Sequence, residues 1–297
     1  MVISAALLVA VATGFRAVFL RGAGAAAPLY KDWVTEIEST TLIENITVPG
    51  SVGTMKEWKG ERKAKGLGIS EIELRNKDYE NTLYVPVNVA KDTAKLGIWD
   101  TAFEQMGINA QTHPDVLLKE TLVAGFTKKS YDGLAFFSAS HTSGGNLETG
   151  ALTAEKYATA MAMLLAQADD DGTPLRLSAS PGAKRKLMVG PSIYGTAKSI
   201  VECPTITGGG PNPWYQTAEV VLNEHLIGTY ATYWFLGYSG GNYRPLVFVN
   251  REKPSVVVQD DPKSDAIVKR KQIEAFAQSR CIMGLLFHQA MVGSTGA

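Results

Sequence analysis

The sequence is poor in cysteine and carries no net charge. Its 297 residues include two cysteines, Cys203 and Cys281, which have unrelated flanks and form no C-x-x-C pair. This sparse usage favours two reduced thiols in an intracellular protein. With 29 basic and 29 acidic residues the formal net charge is zero, which argues against a nucleic-acid-binding protein or a polybasic membrane anchor. A net charge near zero also weakens self-repulsion and permits close self-association.

Motifs for catalysis and metal binding are also missing. The aspartates at 169–171 lack the alternation of a calcium loop, and the glycines at 208–210 lack the lysine of a phosphate loop. No G-x-S-x-G is present. The histidines have no metal-ligand spacing, with neither H-E-x-x-H nor H-x-H among them: His113, His141, His225 and His288. We interpret His141 as a loop residue and His288 as a semi-buried one, and we predict no catalytic residue, metal or cofactor.

The apolar N-terminus predicts a helix that docks on a protein surface. Apolar side chains recur at helical spacing from Ile3 to Phe19. The run from Val2 to Phe15 is too short to span a bilayer. Its first charge, Arg16, follows the run, whereas a signal peptide begins with basic residues. We therefore predict no membrane partner. Residues 20–52, which contain several glycines and prolines, are predicted to form an extended arm.

The most distinctive stretch is residues 53–87. Its pattern indicates two strand arms that are too polar to be buried. The first arm, Met55–Gly66, is mainly basic, and the second, Glu71–Glu80, is mainly acidic, with glycines between them. A lone hairpin is marginal in water, so we infer that this one reaches onto another molecule. The side chains predicted to make that contact come from both arms: Lys56, Trp58, Lys59, Arg62, Lys63, Glu71, Glu73, Asp78, Tyr79 and Glu80.

The remaining periodicity predicts a mixed α+β chain. A helical pattern runs from Gly97 to Lys128 and is interrupted at Pro114, which indicates two helices or one kinked helix of about 45 Å. Pro114 is the predicted hinge. A further helix is predicted from Thr153, a capping residue, to Ala168. Strands are predicted at residues 40–48, 186–190, 220–222, 230–236, 246–250, 255–259 and 276–287.

In their order and spacing, several short motifs resemble those of the major head subunits of Mu-like bacteriophages and prophages, the gpT family. The resemblance runs nearly end to end. It is carried by Gly14-Phe15, Met55-x-x-Trp58-x-Gly60-x-Arg62, Asn76-Lys77-x-x-Glu80, Phe103-x-x-Met106-Gly107, His113-Pro114-Asp115, Tyr131-Asp132-Gly133 and residues 284–296.

This resemblance implies the tailed-phage major capsid fold, of the HK-ninety-seven type. Such a fold has an N-arm, an extended E-loop hairpin, a P-domain with a long spine helix, and an A-domain. On this chain the implied divisions are an N-arm at 1–52, an E-loop at 53–87, a P-domain with the spine helix at 88–134, an A-domain with part of the P-domain at 135–243, and C-terminal P-domain strands at 244–297.

The implied function is self-assembly into the icosahedral shell that encloses a phage genome. The implied partners are copies of the chain in hexamers and pentamers, portal and separate scaffold proteins, and packaged double-stranded DNA that is contacted non-specifically. The implied location is the virion capsid, after assembly in the host bacterial cytoplasm. Two alternatives stay open: another phage structural protein, of the tail or decoration type, and a soluble intracellular hydrolase that uses His141 and Asp132.

Overall fold

The chain folds into helices and strands that are mixed along its length, as the α+β prediction requires. The computed structural model describes residues 4–49, 60, 69–91, 96–169, 172–206 and 208–297. The helices are α1 (Ala5–Ala25), α2 (Val87–Lys91), α3 (Leu96–Ala124), α4 (Ala154–Leu165) and α5 (Tyr194–Val201). The strands are β1 (Val34–Glu38), β2 (Ile43–Pro49), β3 (Ile69–Arg75), β4 (Lys77–Pro86), β5 (Lys184–Val189), β6 (Glu219–Leu222), β7 (Trp234–Ser239), β8 (Leu246–Val258), β9 (Gln272–Leu285) and β10 (Met291–Ser294).

The first sheet has the strand order β1-β8-β9-β4 and forms the body of the molecule. Strand β1 lies parallel to β8, whereas the pairs β8–β9 and β9–β4 are antiparallel. The strand predicted at 276–287 is confirmed as far as Leu285, as the C-terminal part of β9. The two strands predicted between 246 and 259 are one strand, because register shifts between Asn250 and Ser255 break the side-chain alternation without ending the pairing.

One face of the first sheet is covered by α1 and α3. The buried side chains of α1 include Leu8, Phe15 and Phe19, and they share a core with Phe103 and Met106 of α3. The rings of Phe15 and Phe103 stack with their centroids 4.0 Å apart. The predicted docking helix is therefore confirmed as a helix, and the surface on which it docks is α3 of the same chain.

Helix α1 is longer than its sequence pattern predicts. It continues through Gly22 to Ala25 and is, by length and composition, the one helix of the described ranges that could cross a membrane. Glycine costs a helix about 1 kcal/mol relative to alanine, yet Gly22 lies against the backbone of α3, where a β-carbon would overlap the carbonyl oxygen of Glu104. Close packing against α3 thus outweighs the helix-breaking tendency of Gly22, one of the glycines from which the extended arm at 20–52 was predicted.

The segment after α1 also belongs to the body. Trp33 and Val34 are fully buried, and β1 pairs with β8. The backbone N–H of Tyr30 donates a 2.7 Å hydrogen bond to the Asp115 carboxylate on α3. The predicted extended arm is therefore wrong for residues 20–38. A parallel pairing with a strand more than 200 residues away leaves no local trace in the sequence.

The second sheet, of order β10-β7-β5-β6, packs against α4 and α5. Its core includes Leu187, Trp234 and Tyr157, all fully buried. The predicted cap of α4 is confirmed, because the Thr153 hydroxyl accepts a hydrogen bond from the Lys156 N–H at 3.2 Å. The loop of residues 125–153 connects α3 to this second layer.

Candidate functional site

The acidic part of the charged stretch forms a hairpin with an unexpected partner. Strand β3 pairs antiparallel with β2, with Thr47 opposite Glu71 and Asn45 opposite Glu73. The hairpin stem therefore begins at residue 43, upstream of the predicted boundary at 53. The predicted basic arm side chains lie outside the described residues: Lys56, Trp58, Lys59, Arg62 and Lys63.

The two faces of this β2–β3 stem differ in character. One face of the stem is apolar and packs on the first sheet, on the side opposite α1 and α3 and beside Val247 and Val249. Its side chains are Ile46, Val48, Ile72 and Leu74. Glycine at 284 makes room there, since a β-carbon on Gly284 would come within 2.6 Å of the Leu74 side chain. On the opposite face, Glu71 and Glu73 are exposed, and within the described ranges neither has an ion-pair partner. The stem thus presents an acidic stripe to its surroundings.

The other predicted contact residues lie on a different element. Asp78, Tyr79 and Glu80 belong to β4, which pairs with β9 in the body. Asp78 forms an ion pair with Arg280 at 3.1 Å. The Tyr79 ring lies 4.3 Å from that of His113, and burial raises the pKa of Tyr79 to about 12. The structure therefore does not bring the three β4 residues onto one arm with Glu71 and Glu73.

Asn76 lies between β3 and β4, where the acidic stretch passes from the stem to the body of the molecule. Its side chain is almost fully buried, and its Nδ2 donates to Ser39 Oγ at 3.1 Å and to the Thr41 carbonyl at 2.9 Å. Its backbone N–H donates to the carbonyl of Leu42. These bonds hold the change of direction between β3 and β4, so the stem leaves the body at a defined point.

A bare apolar patch continues the surface that the stem covers. Tyr84 and Val257 are 53% and 50% exposed, and Phe276 lies half-buried between their strands on the same face. The stem covers the other end of this sheet face and leaves the patch open. Sequence reasoning missed the patch, although the run of apolar residues Leu83-Tyr84-Val85 marks a strand whose two faces are both apolar.

Pro114, the predicted hinge, lies inside a continuous helix. Helix α3 runs from Leu96 to Ala124 as one element, so the two-helix alternative is wrong. Proline leaves the carbonyl of Ala110 without its helical donor. The next residue, Asp115, is held by the Tyr30 N–H, and burial raises the pKa of the Asp115 carboxyl. A bend at Pro114 would therefore have to move against this contact.

Two histidines and one aspartate meet in the loop after α3. His141 Nδ1 lies 2.5 Å from Asp132 Oδ2, and His141 Nε2 lies 3.2 Å from the carbonyl oxygen of Phe136. Both ring nitrogens thus face acceptor oxygens, an arrangement that the doubly protonated ring satisfies. The hydrogen bond from His141 lowers the pKa of Asp132, although burial alone would raise it.

The second ring of this cluster is that of His288. It stacks on His141 with centroids 3.8 Å apart and an interplanar angle of 12°. His288 Nε2 lies 2.9 Å from Ser143 Oγ, and Nδ1 lies 3.4 Å from Ser130 Oγ. Burial first, and then the charge of His141, lower the pKa of His288 to about 3, so this ring is neutral at ordinary pH.

Asn146 supports the histidine pair from the side. Its Nδ2 donates to the carbonyls of Phe136, His288 and Met291 at 2.9, 3.0 and 3.1 Å, and its Oδ1 accepts from the Ser138 N–H. The amide therefore fixes the loop after α3 to the turn before β10. No local signal marked this association in the sequence, where 145 positions separate Ser143 from His288.

The chemistry open to this cluster is limited by burial and ring geometry. The His141 side chain is fully buried and His288 is 1% exposed, so no substrate reaches either ring. Donor atoms of Asp132, His141 and His288 lie within 4.8 Å of one another. A metal ion prefers to lie in the plane of each imidazole that binds it, which two parallel stacked rings do not allow. The cluster is built as a hydrogen-bonded connection.

Comparison with known proteins gives consistent matches. The family model described as Mu-like prophage major head subunit gpT matches residues 8–150 and 146–226. The chain is 30% identical over 141 residues to the major capsid protein of Escherichia phage Mu, a match that covers 48% of this chain and 46% of that protein. The chain thus spans about half the length of the curated relatives it matches.

Solved structures with a similar fold include phage capsid proteins. A chain of the procapsid of bacteriophage JBD30 is 22% identical, with a TM-score of 0.61 over 98% of this chain and 76% of that one. A chain of the mature capsid of bacteriophage PhiM1 is 10% identical, with a TM-score of 0.58 over 90% and 86%. At these identities the likeness shows the fold alone, which is the α+β fold of phage capsid proteins.

Proposed function

This chain belongs to the family of Mu-like prophage major head subunits, and we propose that it assembles with copies of itself into the closed shell of a phage head. The observation that carries the proposal is the family match, whose two segments run from residue 8 to residue 226. That range includes both the β2–β3 stem and the long helix α3. The role is structural, and no catalytic step is assigned to the chain.

The surfaces of the subunit support self-assembly. The stem exposes the acidic pair Glu71 and Glu73, and the bare patch exposes Tyr84 and Val257. Exposed ion pairs contribute only about 0–1 kcal/mol each, whereas buried aromatic anchors carry larger shares of an interface. Charged contacts would thus set the register between subunits, and the aromatic patch would supply affinity. Weak contacts repeated around each subunit allow misplaced copies to leave and rebind.

We further propose how the fold maps onto the parts of a capsid subunit. The E-loop comprises the β2–β3 stem with residues 50–68 between its strands. The first sheet with α3 as spine helix forms the P-domain, and the second sheet with α4 and α5 forms the A-domain. Subunits would be grouped in hexamers and pentamers in the virion, after assembly in the host cytoplasm. Portal and scaffold proteins and non-specifically bound double-stranded DNA complete the proposed partners.

The test exploits the register of the stem. Pro49 is paired with Ile69, so residues 50–68 can be replaced by Asn-Gly, which favours a two-residue hairpin turn. A wider deletion of 56–80 would remove β3 and the first four residues of β4 and would damage the body. The shortened chain should fold, with the circular dichroism and melting temperature of the parent, and should fail to close shells in electron micrographs.

Mixing experiments supply the matched control. The shortened chain keeps the surfaces that would receive a neighbour's loop, so it should enter shells when mixed with an excess of the full chain. Normal shells formed by the shortened chain alone would contradict the proposal. Open tubes from the full chain would instead indicate a tail protein, and binding only to preformed capsids would indicate a decoration protein.

A further inference from the structure

We propose that the stacked pair His141–His288 is an acid-sensitive latch that holds the loop after α3 to the turn before β10 and opens when His288 takes up a proton. This inference does not depend on the shell function. It concerns a connection inside one subunit, between residues 130–143 and residues 288–291.

The charge balance of the cluster is the first support. Asp132 supplies one carboxylate, and His141, with both nitrogens facing oxygens, uses it as a counter-charge. The charges that act on His288 are those of His141 and Asp132. A proton on His288 would therefore place a second cation 3.8 Å from the first, with no second carboxylate to balance it.

The environment of His288 is the second support. Ser143 and Ser130 face its two nitrogens through hydroxyl groups, which can donate or accept but carry no charge. The Tyr131 ring lies 5.2 Å from the His288 ring, and Gln289 donates to the Tyr131 hydroxyl. Among the described residues, no further charged group faces the ring. Water is excluded as well, because His288 is 1% exposed.

The latch lies where its opening would free β10 and the loop after α3. The loop before His141 continues from α3, and His288 precedes β10 at the edge of the second sheet. Asn146 donates hydrogen bonds to a carbonyl of each segment, Phe136 in the loop after α3 and His288 before β10. Separation of the two segments would therefore break these bonds as well as the ring stack. Opening would release β10 and the loop while leaving β8 and β9 paired. Acid would thus loosen one connection before it unfolds the chain.

Hydrogen–deuterium exchange of the full chain between pH 7.5 and 4.5 tests this latch. After correction for intrinsic exchange, protection of residues 130–150 and 286–294 should fall by up to about tenfold per pH unit below 6.5. Protection of residues 272–283 in β9 should stay constant. The variant His288→Gln, whose amide can bond Ser143 but does not titrate, should lose this pH dependence. The matched control His225→Gln, at an exposed histidine, should keep it.

A second measurement covers the case in which His288→Gln does not fold. Exchange at the imidazole C2 position, read by mass spectrometry, reports the titration of each histidine in the unmodified chain. His288 should titrate well below its ordinary value of about 6.5, because its pKa in the folded chain is lowered to about 3. Titration of His288 at about 6.5, or a pH dependence that survives in His288→Gln, overturns the latch. So does zinc-dependent stabilisation at pH 7.5 that His288→Gln abolishes, which would make the cluster a metal site.

Discussion

Gly22 of α1 and Gly107 of α3 meet where the two helices cross, and each lies against the other helix's backbone. A β-carbon on Gly22 would overlap the carbonyl oxygen of Glu104, and one on Gly107 would overlap that of Phe19. Phe19 and Gly22 are three positions apart on α1, and Glu104 and Gly107 are three positions apart on α3. The two glycines therefore belong to one contact surface. The ion pair between Arg21 and Glu104, at 2.8 Å, flanks this crossing.

The crossing predicts opposite effects for two glycines of the same helix. Gly22→Ala should lower the free energy of unfolding by about 1–3 kcal/mol, because the added methyl forces the backbones apart. Gly14→Ala has open space around its β-carbon, so it should leave stability unchanged or raise it by up to about 1 kcal/mol through helix propensity. Urea unfolding of both variants checks this. Equal destabilisation by the two substitutions would contradict the proposed contact.

The contact between Leu74 of the stem and Gly284 of β9 predicts that substitutions at these two positions have coupled effects on stability. Leu74→Ala should cost about 2–4 kcal/mol, because it leaves a cavity over Gly284. Gly284→Ala should cost about 1–3 kcal/mol through overpacking. In the double variant the new methyl occupies space vacated by Leu74, so the combined loss should be smaller than the sum by at least about 0.5 kcal/mol. Strict additivity in denaturant titrations would show that the two residues are not in contact.

The acidic stripe predicts a loss of assembly without a loss of stability. Reversing Glu71 and Glu73 to lysine should change the free energy of unfolding by less than about 0.5 kcal/mol, because both side chains are exposed on the stem. The same change should reduce the yield of sedimenting particles. Glu224→Lys, a charge reversal at an exposed residue in the turn after β6, serves as the control. Particles formed at the parental yield by the reversed stem would rule out a role for the stripe.

The bare patch also predicts a loss of assembly without a loss of stability. Tyr84→Ser and Val257→Ser remove apolar area that is about half exposed in the subunit. We expect the melting temperature to stay within a few degrees of the parent, since little buried surface is lost. Particle formation, measured by light scattering against protein concentration, should require a higher concentration. An unchanged concentration threshold would place the patch on a free surface.

The histidine pair predicts a specific dependence of stability on pH. The pKa of His288 is about 3 in the folded chain, below its ordinary value of about 6.5. The unfolded chain therefore binds the extra proton first, and stability is complete above pH 6.5 and is lost as pH falls toward 3. Between pH 6.5 and 4.5 this group should contribute a loss of up to about 3 kcal/mol. The difference between the parent chain and His288→Gln in urea titrations isolates that contribution.

Local patterns predicted much of the fold, and long-range pairing explains the rest. The long helix and the strand around Phe276 follow from periodicity, and Thr153 caps α4 as its residue type indicates. Gly22 and Pro114 lie inside helices because tertiary packing outweighs their local preferences. Strand β1 was missed because its partner lies at the other end of the chain.

The candidate site was less predictable than the fold. Charge alone singled out the acidic residues Glu71 and Glu73, and both are exposed. Their role in a contact between subunits stays a prediction. The division at Asn76 was missed, because a buried asparagine that bonds backbone groups looks like any polar residue of a hairpin. The association of His141 with His288 requires two loops from distant parts of the sequence, and no spacing rule relates them.

The connection between the two sheets has a mechanical consequence. Strand β9 ends at Leu285 in the first sheet, and β10 begins at Met291 in the second. Residues 240–245 likewise join β7 of the second sheet to β8 of the first. These two short connections share, with the longer loop after α3, any tension that pulls the two layers apart. Strand β10 is held to β7 by only four residue pairs, so we expect force spectroscopy to find the first rupture at β10, ahead of any shearing of the long β8–β9 ladder.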